Sequence, residues 1–72
     1  MDARDTLLVE QLIPENTRLQ ALWNEHLELE RVLDDYAGRS YLTPFDEAEA
    51  KRLKRRKLLG KDEIFKILST AR

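Results

Sequence analysis

The sequence predicts an all-α protein: an antiparallel helical hairpin of coiled-coil type, preceded by a short N-terminal helical segment and dimerising into a four-helix bundle. Three observations predict it. Leu19, Leu22, His26, Leu29, Leu33 and Tyr36 follow one another at alternating spacings of three and four, the seam of a helix that packs on another helix. A second long helical stretch opens with a strong start signal at Thr43-Pro44, and the connection before it is too short to do other than turn the chain back.

The elements follow in order. Asp5 or Thr6 can cap a short helix over about 5–13 that carries Leu7, Leu8, Leu12 and Ile13. Pro14 lacks a backbone donor, so it ends that helix and suits the first position of the next, with Glu15 near the positive end of the dipole. A long helix is expected over about 15–37, stopped by Gly38 in a left-handed conformation. A loop over 38–43 leads to a third helix over about 44–70. Thr43 caps it, Pro44 takes its first position, and Asp46 reaches back from three residues on.

The wheel of the last helix is interrupted. Ala50, Leu53, Ile64, Ile67, Leu68 and Ala71 share a face, yet Lys57 and Gly60 fall in its middle. Antiparallel pairing is expected to bring His26 and Trp23 near Lys57 and Gly60, with the missing side chain of Gly60 admitting Trp23 or letting the backbones approach. Trp23 and Leu27 on one helix, with Leu58 and Phe65 on the other, form a second apolar surface that a two-helix hairpin cannot cover. It is read either as core beneath the N-terminal helix or as an association surface.

Seventy-two residues make one small domain of marginal stability. No cysteine and one histidine exclude a disulfide framework and a Cys/His zinc site, so no metal or cofactor is expected. The apolar runs fall far short of the roughly 20 residues that span a bilayer, and no basic leader precedes an apolar stretch. The chain reads as soluble, cytoplasmic and without a membrane partner.

Charge is balanced overall, 13 basic against 14 acidic residues, but unevenly placed. Between Lys51 and Lys61 lie seven basic and no acidic residues. Arg52, Lys54, Arg55 and Arg56 are therefore candidate nucleic-acid contacts, although they spread over about 200° of the wheel and leave no single stripe. The helix over 15–37 is acidic and lies alongside, so intramolecular pairing is the plainer account of the run. Glu47 with Lys51, and Asp62 with Lys66, read as helix-stabilising pairs.

His26 and Lys57 form a polar seam. Buried polar groups fix register in coiled coils, and imidazole is also the side chain that ordinarily changes charge in the physiological range, so a register role and a pH switch are both open. Adjacent carboxylates at Asp62 and Glu63 point about 100° apart and do not converge on a substrate. With no phosphate loop and no nucleophile–base arrangement, no enzyme is expected.

Tyr41-Leu42-Thr43-Pro44, Leu53-Lys54-Arg55-Arg56-Lys57-Leu58 and Lys61-Asp62-Glu63-Ile64, with Leu22, His26 and Leu29 upstream, resemble the YdcH-like family of small bacterial proteins, a domain of unknown function. The resemblance covers roughly residues 15–68. It implies a short helical hairpin, a bacterial source and no established activity. One position departs: relatives usually carry an apolar residue, commonly leucine, where Gly60 stands. The function read from the residues is a non-catalytic interaction or adaptor module, a homodimer with an unidentified protein partner. The alternative is a nucleic-acid-associated protein.

Overall fold

A computed structural model describes residues 2–71, which form three α-helices and no strand. The first, α1, spans Ala3–Leu12. Its cap is Asp2 rather than Asp5 or Thr6: the Asp2 carboxylate accepts the Asp5 N–H at 2.9 Å, and the Thr6 hydroxyl donates to the Asp2 carbonyl at 3.1 Å. Both of the expected caps are thus drawn into the first turn.

Pro14 does not open the second helix. It sits in a 3-10 turn, Ile13–Glu15, and Asn16 then adopts an extended conformation. The Asn16 side chain accepts the Leu19 N–H at 2.9 Å, satisfying one of the free donors of the new helix, α2, which spans Thr17–Ala37. Gly38 ends it without a left-handed turn. Its φ of −80° and ψ of −9° are right-handed, and its N–H still donates to the Asp34 carbonyl. The expectation of a left-handed stop is corrected here, because the chain leaves the helix by unwinding rather than by reversing hand.

The third helix, α3, spans Pro44–Ala71. The Asp46 N–H donates to the Thr43 hydroxyl at 3.0 Å while the Thr43 N–H donates to the Asp46 carboxylate at 3.2 Å, a reciprocal capping box. Its 28 residues at about 1.5 Å each account for the 42 Å length of the molecule.

Ion pairs between α2 and α3 record their relative direction. Arg18 meets Glu63 at 3.6 Å, Glu25 meets Arg56 at 3.1 Å and Glu30 meets Lys57 at 3.8 Å. The broad order rises on α2 and falls on α3, so the two helices run in opposite directions. The seam between them buries Leu19, His26 and Leu29 of α2 and Ala50, Ile64 and Leu68 of α3.

The core is lopsided. Val9, Leu19, Ile64 and Leu68 are fully buried in one cluster, where α1 closes over one end of the α2/α3 pair. Each such side chain contributes roughly 1.5–3 kcal/mol relative to exposure. Toward the 38–43 loop, α2 and α3 have only each other, and Leu29 and Ala50 are the buried apolar residues of that half. One end is a three-helix bundle and the other a bare pair, which decides what surface remains open.

Candidate functional site

The pair α2/α3 has two flanks, and α1 covers part of one. On the covered flank lie Trp23, Leu27, Leu58 and Phe65. Trp23 and Phe65 are half-buried and pack against the core cluster. Leu7 and Leu8 of α1 line a hollow with Phe65. Leu27 and Leu58 lie beyond that cover, 46% and 59% exposed. The apolar surface legible in the sequence therefore divides: half of it is core, half is open.

The opposite flank holds a groove of about 520 Å³. Ala21, Leu22, Leu59 and Gly60 line it, with the Arg18–Glu63 and Glu25–Arg56 pairs at its corners. Leu59 is 55% exposed. A Cβ built on Gly60 would meet nothing nearer than the Glu25 Oε1, at 3.9 Å. The glycine therefore neither admits Trp23 nor brings the backbones together, as was expected of it. Trp23 is held elsewhere, its ring stacked on His26 with centroids 5.4 Å apart. Sequence reasoning passed over this groove, although charges of opposite sign seven residues apart, Arg18 and Glu25, Arg56 and Glu63, bracket the small residues on each helix.

His26 and Lys57 are joined through a third residue. His26, 5% exposed, has its Nε2 2.9 Å from Glu30 Oε1, and Lys57 Nζ lies 3.8 Å from the same oxygen. A proton on Nε2 donates to Glu30, which leaves the buried Nδ1 without a hydrogen-bond partner. Glu30 is the member of this seam that the heptad pattern does not reveal, because it stands beside the apolar stripe rather than in it.

The basic run is also divided. Arg52 binds Glu49 through two nitrogens, and Arg56 reaches across to Glu25 on α2. Lys54 and Arg55 are exposed and have no carboxylate partner among the described residues. Of the four candidate nucleic-acid contacts, two are committed to ion pairs and two are available. Lys61 lies over the Phe65 ring at 5.9 Å, a cation–π contact.

Local pairs on the helix surfaces differ from the expected four-residue spacings. Lys66 meets Glu63 at 3.5 Å, and Glu47 and Asp62 make no ion pair among the described residues. The Arg31 guanidinium beside Glu28 holds that carboxyl below its usual range, and Arg52 does the same to Glu49. These exposed pairs contribute little each. Among the described residues no group of three or more His, Cys, Asp or Glu side chains is placed to hold a metal, and no helix is long and apolar enough to cross a membrane.

A family model described as "Protein of unknown function (DUF465)" matches residues 19–68. The chain belongs to the DUF465 family. Its resemblance to YdcH-like proteins is consistent with that membership. No curated protein and no solved structure matches the chain. The DUF465 stretch contains the groove corners at Glu25, Arg56 and Glu63, the seam around His26 and the basic run; α1 lies outside it.

Proposed function

We propose that this DUF465 chain is a non-catalytic interaction module of the bacterial cytoplasm, an α2/α3 hairpin that self-associates into a coiled-coil-like four-helix bundle and presents its remaining surface to a protein partner. One observation carries the reading: leucines stand open on both flanks, Leu27 and Leu58 on one and Leu59 on the other, while α1 is long enough to cover only one end of one flank. Scaffolds of this size without disulfides commonly gain the stability they lack by oligomerising. Supporting a non-catalytic role, the carboxylates near Lys61 do not converge: Glu63 is occupied by Arg18 and Lys66, and Asp62 stands exposed.

Light scattering behind a sizing column, run over a range of loading concentrations, tests the reading. A mass of twice 8.5 kDa that falls toward the protomer on dilution is expected. A protomer mass at every concentration refutes self-association.

A second reading, nucleic-acid binding through residues 51–61, rests on the availability of Lys54 and Arg55. Anisotropy titration of short oligonucleotides at two salt concentrations separates it, since each phosphate contact contributes about 0.9 to the salt slope on duplex DNA. Absence of binding at low salt removes it.

A further inference from the structure

We infer that the second copy of this chain seats on the Gly60 groove, with a two-fold axis parallel to the helices that lays α2 of each copy over α3 of the other. The inference rests on the self-association proposed above and assigns its location to the flank opposite Leu27 and Leu58.

The charge pattern of the flank is complementary to itself. Arg18 lies level with Glu63, and Glu25 with Arg56, as their contacts show. A two-fold axis along the helices preserves level and exchanges left for right. Arg18 then faces Glu63 of the second copy, and Glu25 faces Arg56 of the second copy. Each intramolecular pair becomes part of a ring of four alternating charges. The same register, continued along the wheel, sets acidic Glu28 near the level of basic Arg52, and Tyr36 level with the exposed Phe45. No like charges are opposed along these rows.

Shape agrees with charge. At the centre, Gly60 and Ala21 leave the hollow and Leu59 stands beside it as the projecting side chain. Gly60 of one copy falls opposite Ala21 of the other, so two small residues meet where the helices must come close. α1 does not obstruct this approach: it contributes no residue to the groove lining and packs toward Phe65 on the other side.

Extent favours the axis along the helices over one across them. The groove lies near the start of α2 but near the middle of α3, so an axis across the helices would overlap most of α3 but only the first turns of α2. Lengthwise overlap uses the whole of α2, about 30 Å, on a molecule 17–18 Å wide. That footprint, on the order of 500 Å² before side-chain relief, approaches the roughly 800 Å² per partner of a standard interface.

Leu59→Asp and Leu27→Asp test the location, since both side chains are about half exposed and either change leaves the protomer core intact. The dissociation constant by sedimentation equilibrium should rise about tenfold or more in Leu59→Asp, with helical circular dichroism unchanged, and stay near the wild-type value in Leu27→Asp. Loss of the dimer in Leu27→Asp with retention in Leu59→Asp would overturn the location while leaving self-association standing. A monomeric wild type would overturn both.

Orientation is read by thiol cross-linking, because the chain has no cysteine of its own. A mixture of Ala21→Cys and Gly60→Cys chains should form a disulfide-linked heterodimer on oxidation, and neither chain should link efficiently alone. Efficient self-linking of Ala21→Cys would place the axis across the helices and overturn the geometry.

Discussion

Replacing Gly60 with alanine should stabilise the protein. Glycine inside a helix costs about 1 kcal/mol relative to alanine, because its backbone loses more freedom on folding. Whether that gain is realised depends on the space around the new methyl. Here the built Cβ meets only Glu25 Oε1, at 3.9 Å, an ordinary van der Waals separation from the end of a flexible side chain. Nothing has to move, so the propensity gain should be retained in full. For a domain of 60–100 residues, about 1 kcal/mol raises the midpoint of thermal unfolding by roughly 4–8 °C. Thermal denaturation followed by circular dichroism is the assay, with wild type and variant both at a concentration where the chain sediments as a monomer, because the groove is the proposed seat of the second copy and association adds apparent stability by mass action. An unchanged or lowered midpoint would refute the reasoning, since it would require the groove at Gly60 to be filled or the helix there to be distorted.

Other predictions follow from the same packing. Leu29→Asp and Ile64→Asp each place a carboxylate in the buried seam without a partner, so both should lose most of their helical signal; retained helicity in both would refute the α2/α3 packing. Asn16→Ala removes the acceptor for the Leu19 N–H and should cost about 1 kcal/mol, read as a lower unfolding midpoint with faster hydrogen exchange in the first turn of α2. Acid should destabilise the fold through exposed pairs. Glu28 and Glu49 are held low by hydrogen bonds from Arg31 and Arg52, and Asp2 by the Asp5 N–H. Folded values below unfolded ones mean a contribution present above the ordinary carboxylate range, near about 4, and lost as pH falls through and below it. A midpoint that stays constant from neutral pH to about pH 3 would contradict this.

Periodicity made the α2 seam legible. Leu19, His26 and Leu29 are buried on it, with Leu22, Leu33 and Tyr36 partly so, because one helical face has to meet another and spacing records that face directly. The capping box at Thr43 and Asp46 was legible for a similar reason: its donors and acceptors lie within four residues of one another. Features that depend on a choice between local options were not. Asp2, Asp5 and Thr6 are all good caps; the Asp2 carboxylate takes the role, and Asp5 and Thr6 fall within the first turn and bond back to Asp2. Pro14 announces a break but not its length: Asn16 caps the next helix, whose first residue, Thr17, comes three positions after the proline.

The candidate surfaces show the same division. That Trp23, Leu27, Leu58 and Phe65 are apolar and off the seam could be read from the wheel. Which of them α1 reaches is a tertiary fact. Pairing of the basic run was expected in general, yet the identity of the partners decides which cations stay available. Arg56 is taken by Glu25, which is 31 residues away in sequence, whereas Arg55 beside it has no such partner. The groove at Gly60 was missed because the glycine was judged by what it might admit from within the protomer, and its open side faces outward.

Sedimentation equilibrium of the wild-type chain, from low micromolar to the highest attainable concentration, reads self-association without any substitution. A reversible monomer–dimer equilibrium is expected, with a dimer that weakens as salt is added, since the corners of the groove are exposed ion pairs. A single protomer mass across the whole range would contradict it.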